Sequence, residues 1–473
     1  MDDPASEPEP VDLPIDGVLD LHTFRPRDVT ALVGDYLDGC RERGICEVRI
    51  IHGKGRGVLR RTVHAVLARR SDVVSYRLAG DATGGWGATV VILSPPEGAR
   101  QEPLAGSPPP REEPEAGAPR QRRGPRDSVM SPRERVLAAL RHEQPDRTPR
   151  DFWAEPPALA RLFAHVGHCD KESLLESLSI DIRHLDAPEP PERSAGGGIL
   201  QNLWGERFIY RSTPWGPVRE DVRGALAGAT RFSELERFDW PRSDCIDRSC
   251  LVEQCRRLEP FALLYGFADV WQRPALVRGW DQMFVDMARR PEWVHFLCRT
   301  FTDFYLADYT RAAEITGGRI DLYLLISDLG SQRGPLISTP MFCEFVAPYL
   351  RQMIDRIHEL GGSVLFHSCG AVASFIPELV GLGVDVLDPV QPVGPEMAPE
   401  SLKAKFGDRL SFHGGIDMQG LLPRGGPAEV ESEARRYCEI LGAGGGYILA
   451  PAHLFQPDVP PENILAMYGA GCV

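Results

Sequence analysis

SVLFHSCG, residues 363–370, is a short apolar run that breaks off abruptly into histidine, serine, cysteine and glycine. A run this brief between turn-forming residues reads as a buried β-strand ending in a functional loop. The same pattern recurs on either side of it. FALLYG (261–266), DLYLLI (321–326), VDVLD (384–388), LSFHG (410–414) and YILAP (447–451) are further candidate strands. Amphipathic helices lie between them, such as 428–441 and 340–360, the latter with Phe342, Phe345, Val346, Tyr349, Leu350 and Met353 at helical spacing. Repeated strand–helix units of this kind predict an α/β fold, a (β/α)8 TIM barrel. An open doubly wound sheet fits less well, because no glycine-rich phosphate loop follows an early strand.

In such a barrel the catalytic face lies where the strands end. Strand after strand ends there in a polar residue: Ser327 and Asp328, His367 and Cys369, Asp388, His413, and His453 after YILAP. His367-x-Cys369 is the sharpest element, offering an imidazole nitrogen and a thiolate to one borderline metal. His453 from a neighbouring strand end supplies a third ligand, and three protein ligands with one open position is the inventory of catalytic zinc. The competing reading makes His367 a hydrogen-bonded core histidine and Cys369 a small buried filler.

Upstream, Ser131-Pro132-Arg133-Glu134 spells a helix start: serine as N-cap, proline at the first position, glutamate three after the cap. Before it, ARQEPLAGSPPPREEPEAGAPRQRRGPRD (99–127) has almost no large apolar residue and reads as a disordered, proline-rich linker. The chain therefore divides into a small domain (11–98), a linker (99–127) and a large domain (128–473). Its 473 residues exceed one average domain. No apolar run is long enough for a membrane span. The opening MDDPASEPEP is acidic rather than signal-like, which predicts a cytoplasmic protein. Eleven cysteines without clustering predict reduced thiols. Cys245, Cys250 and Cys255 recur every five residues, about 140° apart on a helix, and so do not form a metal motif. The net charge of −14 argues against nucleic-acid binding by the whole surface. Gly53–Ser71 is nevertheless a basic island, with Lys54, Arg56, Arg60, Arg61, Arg69 and Arg70 and no acid.

The small domain reads as an α/β sandwich. VLDLH (18–22) precedes a helix over 28–43, EVRIIHG (47–53) leads into a helix over 58–70, and strands follow at 73–79 and 88–93. Asp20 and His22, two apart on an extended chain, point to one face. His52-Gly53-Lys54-Gly55-Arg56-Gly57 joins strand to helix, where glycines let a backbone approach a phosphate and the two cations add charge. Either element alone is as readily structural.

Two resemblances gather these motifs. LDLH (19–22), IIHGKGRGVL (50–59) and GGWGATVVIL (84–93) resemble the Smr (small MutS-related) domain. That implies binding of DNA or RNA, and in many members metal-assisted cleavage, with Asp20, His22, His52, Gly53, Lys54, Gly55 and Arg56 on the family's motifs. Thr23 replaces the glycine usual after D-L-H, which favours binding over cleavage. The large domain resembles the uroporphyrinogen decarboxylase (URO-D) superfamily. The likeness is carried by SPRERVLAALRHEQPDRTP (131–149), SLSIDIRHLD (177–186), SDLGSQRGPLIS (327–338), LFHSCGAV (365–372), DPVQP (388–392), FHGGID (412–417) and GGGYILAPAHLFQPDVPPENILAMY (444–468). The decarboxylases' R-Q-A-G-R-Y segment is not found; that region reads DFWAEPPALARL (151–162). The cobalamin-dependent methyltransferases of the superfamily bind zinc through H-x-C and a later cysteine, which His367, Cys369 and His453 resemble. The resemblance thus implies zinc-dependent methyl transfer to or from a small molecule, with a corrinoid carried by a separate protein. Asp328 or Asp388 then positions or deprotonates the substrate and His413 donates a proton. The alternatives are a tetrapyrrole decarboxylase using arginines such as Arg207, Arg273, Arg278 and Arg333, and a nucleic-acid-binding protein with a degenerate barrel.

Overall fold

The computed structural model describes residues 15, 17–21, 24, 29–43, 45, 47–52, 58–67, 69–70, 72–78, 88–93 and 129–471, save 168–169, 214–215, 223 and 393–394. The linker reading of 99–127 therefore lies outside the described residues. The chain divides into two compact units, 1–121 and 122–473.

In the first unit the strands are β1 (Val18–Asp20), β2 (Glu47–Ile51), β3 (Val73–Leu78) and β4 (Ala88–Leu93), in sheet order β1-β2-β4-β3. β1 and β2 are parallel; β4 runs antiparallel to both β2 and β3. The alternation read from the sequence buries Leu19, Val48, Ile50, Val91 and Leu93 on one face. Helices α1 (Val29–Glu42) and α2 (Val58–Leu67) meet it with Val29, Val33, Leu37, Val63 and Leu67.

The second unit opens with α3 (Pro132–Leu140), capped by Ser131 in the expected capping box with Glu134. Four strands, β6 (Arg193–Gly196), β7 (Ile199–Gln201), β8 (Arg207–Thr213) and β9 (Gly216–Asp221), form an antiparallel meander that the sequence reading did not anticipate. Its residues are mostly exposed, so no buried face imposes an alternating pattern. β12 (Gly330–Ser331) and β13 (Gly334–Pro335) make a small hairpin.

The main sheet holds β5 (Ile182–Leu185), β10 (Ala262–Asp269), β11 (Leu322–Ile326), β14 (Ser363–His367), β15 (Val386–Asp388), β16 (Ser411–His413) and β17 (Tyr447–Ile448). All seven are parallel, in the order β17-β16-β15-β14-β11-β10-β5. The six strands read from the sequence are all there; β5 is an addition. The eighth position is filled by the extended segment around Arg150. Leu449 donates to the Pro149 carbonyl and accepts from Asp151 N–H, while on the other side Asp181 N–H donates to the Arg150 carbonyl. Hydrogen bonds thus close the ring as a barrel. Asp181, fully buried at the start of β5, pins this closure by accepting from Arg135 (2.6 Å), Arg147 (2.8 Å) and Arg150 N–H (2.9 Å). The lumen is packed by Ile182, Leu264, Leu322, Leu324, Ile326, Leu365, Val386 and Ile448, with Val136 of α3 among them.

The helix read over 340–360 is two helices, Thr339–Phe345 and Ala347–Glu359. Pro348 lacks the N–H that a continuous helix needs and restarts it as a first-turn residue. Cys438 is disulfide-bonded, against the expectation of reduced thiols. No described helix is long and apolar enough to cross a membrane.

Candidate metal centre

Side chains alternate along a strand, so a residue two beyond a lumen-facing one also faces the lumen, nearer the strand's C-terminal end. His184 follows Ile182 in this way, His367 follows Leu365, Asp388 follows Val386 and His413 follows Ser411. The sheet register sets Ile326 beside His367 and His367 beside Asp388. A polar layer therefore caps the apolar lumen at the catalytic end of the barrel.

Within it, His367, Cys369 and His453 each turn a ligand atom toward the others, all within 4.8 Å. Among the described residues this is the one such group. His367 Nε2 lies 3.4 Å from Cys369 Sγ, and the two histidine rings meet edge to face at 5.7 Å. Tetrahedral zinc, with bonds of roughly 2.0–2.3 Å, needs nitrogen and sulfur about 3.5 Å apart. The donor set and its spacing fit that metal. Cys245, Cys250 and Cys255 do not converge, as their spacing indicated.

The neighbouring loops hold these donors in place. Asp328 Oδ1 accepts the Cys369 N–H at 2.9 Å and lies 4.0 Å from His367 Nε2. Gln391 Oε1 accepts the Gly370 N–H at 2.6 Å, and its amide donates to the Ala452 carbonyl beside His453. One side chain therefore ties together the two ligand loops. Gly370 has φ +87°, and a Cβ there would lie 2.6 Å from the Gly330 carbonyl carbon, so this close approach requires glycine.

Asp388 accepts from His367 Nδ1 at 2.5 Å and from His413 Nδ1 at 2.6 Å. The first bond leaves Nε2 of His367 as the donor atom facing Cys369, the arrangement by which carboxylates orient metal-ligating histidines. His413 Nε2 in turn meets Asp151 Oδ2 at 3.1 Å, and the other oxygen of Asp151 meets His184 Nε2 at 2.8 Å. Asp151 also accepts from Phe152 N–H (2.7 Å) and from the Trp153 indole. Burial alone would lower the His413 pKa, but the carboxylates of Asp388 and Asp151 raise it to about 9. Burial likewise opposes protonation of His367, and Asp388 outweighs it, holding the ring well above its ordinary value. Against the pull of burial, their histidine partners keep Asp388 and Asp151 below the usual carboxylate range. Burial pushes the Cys369 thiol up, with His367 partly offsetting it. His453 is lowered by burial and by the charge on His367.

The structure thus brings together all six barrel residues singled out from sequence. Sequence reasoning missed Asp151, His184, Trp153 and Gln391. Of the arginines considered for a decarboxylase, Arg278 is fully buried against Asp286 at 2.6 Å, and Arg273 sits 3.5 Å from Glu189.

In the small domain Asp20 ends β1 and pairs with Ile51, the last residue of the adjacent parallel strand β2. His52 is buried with Nε2 at 2.9 Å from Thr89 Oγ1, and His64 reaches the same oxygen at 3.0 Å. A hydroxyl carries one proton, so it cannot donate to both rings. His22, Gly53, Lys54, Gly55, Arg56 and the Asp20 side chain lie outside the described residues. Arg70 of the basic island is ion-paired with Asp38 and with Asp72 (2.6 Å).

The Smr domain family matches residues 19–94, and the uroporphyrinogen decarboxylase (URO-D) family matches 274–471. The chain joins an Smr domain to a URO-D domain. Over 75 residues the Smr domain is 44% identical to the endonuclease MutS2 of Clostridium novyi (strain NT), covering 16% of this chain and 10% of that protein. The chain thus spans about a tenth of the length of the curated relatives it matches. Among solved structures, a methyltransferase from Methanosarcina mazei has TM-score 0.50 at 17% identity, covering 72% of this chain and 98% of that one. The URO-D domain shares its fold. The Smr domain of Thermus thermophilus MutS2 is 35% identical over 16% of this chain and 98% of that one, with TM-score 0.16.

Proposed function

We propose that the URO-D domain is a zinc-dependent methyltransferase, with zinc held by His367, Cys369 and His453. The observation that carries this is the convergence of those three donors, with a carboxylate already orienting the first. Zinc bound there supplies a Lewis acid with one open position toward the acceptor or the methyl donor's heteroatom. With two histidines and one thiolate the site offers a single negative charge, so it favours a more electrophilic metal than a two-thiolate site would. Asp388 acts through His367 and His413 rather than on substrate, since it is buried between them. Asp328, about a quarter exposed, is the carboxylate left to position a small-molecule substrate. A corrinoid protein is the proposed methyl carrier, in line with the methyltransferase likeness of the barrel.

Metal analysis of the full chain tests the reading. About one zinc per chain is expected, lost on combined substitution His367→Ala and Cys369→Ser. Unchanged metal content in that variant would sink the site.

For the Smr domain we propose nucleic-acid binding through the loop 53–57, on its likeness to the endonuclease MutS2 proteins. Charge reversal at Lys54 and Arg56 should weaken binding and flatten its salt dependence. Binding that stays as tight and as salt-sensitive in the variant would reject this loop as the contact.

A further inference from the structure

The hydrogen bonds described above form one unbroken array: His184, Asp151, His413, Asp388, His367, then Cys369. It runs round the lumen from β5, through the closing segment, to β16, β15 and β14. Its far end differs from its metal end. Asp151 accepts one fixed donor on each oxygen, Phe152 N–H on Oδ1 and the Trp153 indole on Oδ2, and its histidine neighbours keep the carboxylate ionised against the pull of burial. His413 has a carboxylate oxygen on each nitrogen and therefore donates from both. His184 has only one such partner. Its Nε2–H donates to Asp151, which leaves the lone pair on Nδ1. No hydrogen bond occupies that nitrogen among the described residues, and the side chain is 29% exposed. His184 follows lumen-facing Ile182 by two residues, which places it in the polar layer at the mouth of the barrel. The Trp153 ring packs edge-on against the imidazole at 4.7 Å and limits its rotation.

A partly exposed histidine in the layer at the barrel mouth, with one nitrogen fixed by a buried carboxylate and the other unpaired among the described residues, has the arrangement of a general base. We propose that His184 is the base that deprotonates the acceptor in this site, and that Asp151 is a positioning residue shared between His184 and the His413–Asp388–His367 array. The assignment rests on the methyl-transfer reading for the identity of the reaction. The acceptor is a thiol or hydroxyl compound. Its X–H bond breaks, the electron pair stays on X, and the proton forms an N–H bond at His184 Nδ1. Asp151 offsets the resulting imidazolium charge, and the exposed side returns the proton to water. Because Asp151 uses its two oxygens separately, loss of its charge disturbs both the base and the metal ligands, whereas loss of His184 disturbs the base alone.

The test uses the full-length chain with 15N-labelled histidine, and the variants His184→Gln and Asp151→Asn. In metal-free protein, the imidazole signal absent from His184→Gln should show the Nε2–H tautomer, and in Asp151→Asn it should average between tautomers. A ring protonated on Nδ1 in the parent overturns the assignment, as does a signal unaltered in Asp151→Asn. Titration with Co2+, followed by thiolate-to-cobalt absorption, gives the second readout. His184→Gln should bind within about twofold of the parent, and Asp151→Asn some 10–100-fold more weakly. Equal weakening in both variants makes His184 a structural member and refutes its role as base. Parental affinity in Asp151→Asn refutes the sharing. A parent that binds no Co2+ counts against the zinc reading instead, while the tautomer measurement still decides His184. Should Asp151→Asn fail to fold, the parent's tautomer and the His184→Gln titration decide between base and structural residue.

Discussion

Raising the pH from 6.5 to 9 will weaken the barrel through His413, and His413→Gln will escape that part of the loss. The imidazole is 1% exposed, lies 2.6 Å from Asp388 and 3.1 Å from Asp151, and has its pKa raised from 6.5 to about 9 by them, against the opposing effect of burial. Below the unfolded value both states carry the proton and the ion pairs contribute fully. Between the two values only the folded protein binds it, so unfolding releases a proton and stability falls as pH rises; above the folded value the contribution is gone. At about 1.4 kcal/mol per pH unit, the loss amounts to roughly 3 kcal/mol. Urea unfolding of the full chain with a chelator present measures it. All tryptophans but Trp86 lie beyond residue 128, so their fluorescence follows the barrel. At pH 6.5 His413→Gln should be less stable by about 3–5 kcal/mol, because two buried carboxylates lose their cation. At pH 9 the gap should shrink by roughly 3 kcal/mol. A gap that stays constant between the two pH values would show that His413 does not hold its proton between Asp151 and Asp388.

Four other substitutions probe separate joints. Asp388→Asn places an amide between two imidazole N–H groups and should lower zinc affinity by about 10–100-fold in a chelator competition. Gly370→Ala puts a Cβ against the Gly330 backbone at a φ that disfavours it; a lowered melting temperature together with weaker metal binding is expected, and an unchanged pair of values would contradict the close approach. Asp181→Ala leaves Arg135 and Arg147 without their buried partner and should cost about 3–5 kcal/mol in denaturant unfolding. Ser131→Ala removes the cap of α3 and should cost about 1 kcal/mol by the same measurement.

What could be read from the sequence, and what could not, follows from how much apolar burial each segment carries. Four of the six recognised barrel strands (261–266, 321–326, 363–367 and 447–451) contain runs of three or more apolar residues, because most of their side chains are buried whichever way they point; the other two, VDVLD and LSFHG, alternate apolar with polar residues. β5 reads IRHL: Ile182 faces the lumen, while Arg183 turns outward to Glu172 and lays its guanidinium 3.7 Å over the Phe261 ring. Charge in a strand so short hides its periodicity. The closing segment is harder still. Pro149 and Pro156 bracket it, Arg150 and Asp151 are charged, and its strand character rests on two backbone hydrogen bonds with Leu449 and one with Asp181, none of which has a local signature. Those two segments supply Asp151 and His184, so the half of the polar layer that escaped the sequence is the half on unrecognised strands.

The other half was legible as a set but not in its roles. His367, Asp388 and His413 stand at strand ends, and strand ends alone make each a candidate to touch substrate. Period two says more. Leu365 and His367, Val386 and Asp388, and Ser411 and His413 share one face of neighbouring strands, so the three polar groups must meet one another over a dry lumen. A carboxylate between two imidazoles in that layer saturates both its oxygens and is buried at 4% exposure. Asp388 therefore cannot serve as the substrate's own acid or base without giving up the orientation of His367. With Asp328 left to position the substrate, a proton acceptor for it is to be sought where the array ends with a nitrogen unpaired, and among the described residues of the array that nitrogen is Nδ1 of His184.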